Sequence, residues 1–118
     1  MNRKLANAIA YICTSEVLPV LRQALSRPNS IQFKETFLVS VRDRLYQVVE
    51  RFERDDLSEH FADVYLPLFD SLSLVTYALM MTPMGIDHLR QAEKTLSILH
   101  RVTWQDNHTI ENGTGGAA

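Results

Sequence analysis

The sequence holds a single cysteine, Cys13, which excludes an internal disulfide and any metal site built on several thiolates. Flanked by apolar residues at helical spacing, that thiol is expected to serve as a small core residue. Glycine is nearly as scarce: one of the four is Gly85, and three stand in the terminal ENGTGGAA stretch. A Gly-rich phosphate loop and a dinucleotide fingerprint are thereby excluded. No run of 18 apolar residues exists, so no membrane span is expected. The N-terminal MNRKLANAIAYICTSE carries two cations, but Asn7, Thr14 and Ser15 interrupt its apolar run and no cleavage-like segment follows. A cytoplasmic location is the expectation.

An excess of charge of either sign is also lacking. Twelve Lys and Arg oppose 14 Asp and Glu, a net charge of −2 with a pI near 6.0, so no global field draws a phosphate backbone or an anionic membrane. Nucleic acid is disfavoured as a partner. Within the first thirty residues Arg3, Lys4, Arg22 and Arg27 outnumber Glu16, but they scatter around a helix and build no basic face. What remains is a chain of 118 residues with 46% hydrophobic and 22% charged residues. That composition suits one domain with its own core, needing neither metal nor disulfide to fold.

The apolar residues recur at three- and four-residue steps, which predicts an all-α fold. A first helix spans about 3–25, with Leu5, Ile9, Cys13, Val17, Val20 and Ala24 on one face and a kink expected at Pro19. A second is capped by Asn29 or Ser30 and carries the stripe Phe37, Val41, Leu45, Val48 and Phe52, widened by Leu38 and Val49. Asp56-Leu57-Ser58-Glu59 has the spacing of a capping box, so the third helix is expected to begin near Leu57. Its stripe is Phe61, Tyr65, Leu68, Leu72, Val75 and Leu79, with a second kink expected at Pro67. Thr82-Pro83 precedes a fourth helix whose core residues are Leu89, Ala92, Leu96 and Leu99 and which frays near Trp104. Short connections favour an up-down-up-down four-helix bundle over 1–104, followed by a disordered tail over 105–118.

The third helix departs from this plan. Opposite its core stripe it carries Leu66, Phe69, Tyr77 and Met80, with Ser73 among them. Two apolar seams need two partners. The first helix shows a fainter echo in Tyr11, Leu18 and Leu25, seven residues apart and turned from its main stripe. Leu66, Phe69, Tyr77, Met80, Tyr11 and Leu18 are the candidate interface residues, serving a homodimer or a helical protein partner. Cover by Trp104 and the tail is the intramolecular alternative.

Motifs for chemistry are missing. A carboxylate-bridged di-iron bundle needs Glu three residues before His, but Leu57, Gly85, Ser97 and Gln105 hold those places. No nucleophile and base stand at a recognisable spacing, so neither an enzyme nor a cofactor is expected, and no metal site. In length and architecture the chain resembles a histidine phosphotransfer domain, with His88 as the candidate phosphoacceptor. That family continues with a lysine and a small residue, whereas Gln91 and Ala92 follow here. His60 beside Asp63 and His100 beside Glu93 are candidate pH-responsive pairs, Cys13 is read as a packing residue, and Glu16, close to the core stripe, as a snorkelling flank residue with a partly buried carboxylate as the alternative.

Overall fold

The computed structural model describes residues 2–26, 31–81 and 85–116, without the side chains of 31–34 and 106–116. It has four helices: α1 (Asn2–Ser26), α2 (Ile31–Arg54), α3 (Ala62–Met80) and α4 (Ile86–Gly116). They form a closed ring in which α1 meets α2, α2 meets α3, α3 meets α4 and α4 meets α1, with only a slight diagonal contact between α1 and α3. Consecutive helices that pack side by side make an up-down-up-down bundle. The caps expected at Asn29, Ser30 and Thr82-Pro83 fall outside the described residues, whereas the backbone over 105–116, expected as a disordered tail after fraying near Trp104, continues α4 as helix to Gly116.

The core is a single cluster of aliphatic residues drawn from every helix. α2 buries Leu38, Val41, Leu45, Val48, Val49 and Phe52, and α4 buries Leu89, Ala92, Leu96 and Leu99, as their periodicity predicts. Truncating a fully buried side chain such as Leu45 to alanine would cost about 2–5 kcal/mol. α1 runs unbroken through Pro19 and buries half its circumference, because it packs against both α2 and α4. Its buried set includes Ala6, Ala10 and Ala24, whose small side chains allow close helix approach. Leu5, placed in the core by its spacing, is exposed, whereas Asn7, Thr14, Leu18 and Leu21 are buried on the side facing inward. Cys13 is buried, and burial pushes its thiol up to about 12, so it packs as an inert neutral group.

α3 begins five residues later than the capping-box pattern predicts. Asp56 has φ of 59°, the left-handed region, and acts as the residue that ends α2. The Leu57 N–H donates to the Phe52 carbonyl at 2.8 Å and the Asp56 N–H to the Glu53 carbonyl at 3.4 Å, the two bonds of a Schellman motif. Phe52 and Leu57, the pair that seals such a motif, are both buried. Asp56 is thus spent on stopping one helix and cannot cap the next. Phe61 occupies the N-cap of α3 with no side-chain hydrogen bond, and the helix proper runs through Pro67 with Val64, Leu68, Ser71, Val75 and Ala78 buried. Of the expected stripe, Leu68 and Val75 are buried while Phe61, Tyr65, Leu72 and Leu79 flank the core.

A non-glycine residue in the left-handed region carries strain, here compounded by a carboxylate at the negative end of the α2 dipole. Among the described residues Asp56 pairs with His60 at 3.8 Å, both side chains being mostly exposed, and such pairs contribute little. Asp56→Gly is therefore expected to stabilise the fold by about 0.5–1 kcal/mol, raising Tm by a few degrees in a thermal melt. A lower Tm would show that the side chain of Asp56 matters more than its backbone.

Candidate functional site

Positions 66, 69, 73, 77 and 80 fall within an arc of about 80° on α3, at 100° per residue. That arc lies opposite the buried residues Leu68 and Val75, so it points away from the core. Leu66 is 51% exposed, Phe69 42%, Tyr77 58% and Met80 75%. None of the described residues covers this face. Trp104 stands on the other side of α4, against Arg22, Ser97, His100 and Arg101, and so does not serve as the lid. Two further exposed apolar residues of α4, Ile98 and Val102, lie one turn apart and extend the apolar surface toward the α3 side. The sequence reading missed them, although their i, i+4 spacing outside the core stripe was there to be seen.

The two α1 residues assigned to the same surface do not belong to it. Leu18 is 2% exposed, because it lies within the half of α1 that α2 and α4 enclose. Tyr11 is half-buried and stacks on His100, ring centroids 4.8 Å apart and planes 13° from parallel. The candidate surface is thus Leu66, Phe69, Tyr77 and Met80 of α3, with Ile98 and Val102 beside them.

Charge sharpens this face. Between Asp55 and Leu89 stand six acids and no lysine or arginine, so all twelve cations of the chain lie elsewhere. This segregation is stronger than the N-terminal one that composition first brings out. On α3 the two acids are Asp63 and Asp70, seven residues apart along one edge of the exposed face. Asp63 pairs with Arg3 at 2.7 Å, and Arg3 also lies over the Phe61 ring. Asp70 is exposed, with no ion pair among the described residues.

His88 lies half-buried at the end of this surface, its ring 6.3 Å from that of Tyr77. A Cβ at Gly85 would fall 2.6 Å from Met81 Sδ and 3.1 Å from His88 Nδ1, so glycine is what lets His88 tuck against the turn. The cleft here, about 400 Å³, is lined by Asp70, Ser73, Leu74, Tyr77, His88, Gln91 and Thr95. A phosphoryl group on His88 would need a cation beside it and would meet the Asp70 carboxylate instead. Arg90, the nearest cation in sequence, points to Asp87. Among the described residues no three His, Cys, Asp or Glu side chains gather as metal ligands, and no helix is long and apolar enough to cross a membrane.

The other two histidines find partners that spacing did not give. His60 faces Asp56, since Asp63 is taken by Arg3. His100 turns from Glu93, which binds Arg22 at 3.0 Å, and places Nδ1 2.8 Å from Thr14 Oγ1. Thr14 donates within its own helix to the carbonyls of Ala10 and Tyr11, at 2.9 and 3.0 Å. Nδ1–H of His100 is then the donor across the α1–α4 joint. Burial, and secondarily the Arg22 guanidinium, hold the pKa of His100 below its ordinary value rather than above it. Tyr65 donates to the Glu53 carboxylate, and with burial this pushes its phenol up to about 12. Glu16 is exposed and pairs with Arg44.

These geometries define a class: an antiparallel four-helix bundle that leaves large apolar side chains of α3 exposed on one face. No protein-family model, no curated protein and no solved structure matches the chain.

Because the folded His100 binds its proton less readily than the unfolded chain, which takes it near pH 6.5, the unfolded state gains protons first as pH falls. The contribution of His100 is present above about pH 6.5 and is lost as pH drops from there through the folded pKa. Urea midpoints measured from about pH 7.5 to 5.5 should fall, and less steeply in His100→Gln. Equal slopes in the two proteins would remove His100 from the pH response.

Proposed function

We propose that this chain is a protein–protein interaction module that self-associates through the outer face of α3, and that it is not an enzyme. The observation that carries the reading is that Leu66, Phe69, Tyr77 and Met80 share one face and all stand exposed. Large contiguous apolar surface on a small domain is usually an interaction site, and Phe, Tyr and Met are enriched at interface centres. A second copy of the chain is the simplest occupant, since self-association needs no further gene product and most soluble oligomers are homo-oligomers. Helix packing supplies the mechanism: the α3 face seats against a complementary groove, with Phe69, Tyr77 and Met80 as anchors. A cytoplasmic setting agrees with the lone, buried thiol of Cys13.

Sedimentation at micromolar concentration should give a species heavier than the 13.5 kDa chain. Replacing Tyr77 and Met80 together by glutamate should weaken association by about 2 kcal/mol or more, some thirtyfold, with unchanged far-UV circular dichroism. Loss of helicity in that variant would make both residues part of the core and defeat the proposal, as would a wild-type monomer throughout.

A further inference from the structure

Resting on that reading, we infer that the surface receiving α3 is the groove between α1 and α2 of another copy, so that the chain associates head to tail. The groove is about 380 Å³ and is lined by Ile9, Ile12, Arg44, Gln47, Val48, Glu50, Arg51 and Arg54. Its two banks differ. The α1 bank is apolar, with Ile12 half-exposed in the groove and Leu5, seven residues earlier, exposed on the same stripe. On the α2 bank, positions 44, 47, 51 and 54 follow one another at helical spacing and carry three guanidiniums, against one carboxylate from Glu50.

The α3 face is the complement of this groove in both respects. It offers large apolar side chains to the Leu5 and Ile12 bank, and carboxylates to the arginine bank. Asp70 is exposed for such a pair, and Asp63, seven residues away as Arg51 is from Arg44, about 10 Å along a helix in each case, would exchange its exposed pair with Arg3 for one with the arginine bank. Among the described residues the arginines are held by surface pairs: Arg44 to Glu16, and Arg51 and Arg54 to Asp55 at 3.7 and 3.6 Å. Such pairs contribute little and exchange readily for carboxylates brought in by a partner. Symmetric packing of α3 on α3 lacks this match, because it brings together the Asp70 carboxylates of two copies and α3 has no lysine or arginine to answer them.

Since the groove and the face are different surfaces, one copy can use both at once. Association of this kind is heterologous and continues into rings or filaments instead of stopping at a dimer. It also makes two kinds of defective copy mutually complementary.

The test uses the full-length chain in two forms. The face variant is Tyr77→Glu with Met80→Glu, and the groove variant is Arg51→Glu with Arg54→Glu. A milder groove variant, Arg51→Gln with Arg54→Gln, guards against misfolding, and all three are checked by far-UV circular dichroism. In sedimentation the wild type should form species larger than a dimer, and each variant alone should associate at least tenfold more weakly. An equimolar mixture of face and groove variants should form a complex of twice the 13.5 kDa chain mass and no larger, since each supplies the surface the other lacks. Groove variants that associate like the wild type would overturn the head-to-tail arrangement while leaving self-association through α3 standing. A mixture that stays monomeric overturns it too. A wild type that is monomeric up to about 100 µM overturns both.

Discussion

A ring of four helices around one core allows each helix to bury only about half of its circumference, and every other feature of this molecule follows from that limit. α2 and α4 follow it with apolar stripes facing inward, although α2 leaves Tyr46 and α4 leaves Ile98 and Val102 exposed among their outward charged residues. α1 reaches it, burying residues that face α2 and residues that face α4. α3 exceeds it, because its sequence ADVYLPLFDSLSLVTYALM has only two charged positions and apolar residues all round. The part that the ring cannot enclose is left at the surface, and Leu66, Phe69, Tyr77 and Met80 are that part.

Two polar groups inside the ring, the hydroxyls of Thr14 and Thr103, are satisfied by carbonyls of their own helices. Thr14 is buried where α1 meets α4, and its hydroxyl is satisfied within its own helix and by His100 across the joint. The Tyr11 ring stacked on His100 completes a clamp in which burial holds the pKa of the imidazole below its ordinary value. At the other end of the bundle, α2 must stop where Leu57 can close over Phe52. The chain achieves this with an aspartate in a conformation that favours glycine, and defers the start of α3 to Ala62. In both places a local residue preference gives way to the packing of the helices.

How much was legible in the sequence depends on how far a residue acts within its own helix. The stripes of α2 and α4 were readable, since a residue such as Leu45 or Leu96 need only face inward to be buried. So was the surplus of α3, because Leu66, Phe69, Tyr77 and Met80 repeat at helical spacing on the side away from Leu68 and Val75. Leu18 was misread because its burial depends on α4 lying beside α1, which no periodicity in α1 announces. Leu5 erred in the opposite direction for the same reason. The partners of His60 and His100 do not follow from spacing, because Arg3 and Arg22, distant in sequence, reach Asp63 and Glu93 first.

Sequence by itself determined that this chain is all-helical, that it has four helices, and that one of them carries more apolar surface than a bundle can hide. Those properties are fixed by spacing and composition along single helices. The order of neighbours around the ring was decided by tertiary structure alone. That order puts Leu18 inside, leaves the α3 face open, and opposes an arginine-lined groove on α1 and α2 to an acidic-edged face on α3. The physical reason is that burial and charge complementarity are relations between helices, and they come into being only when the helices are packed.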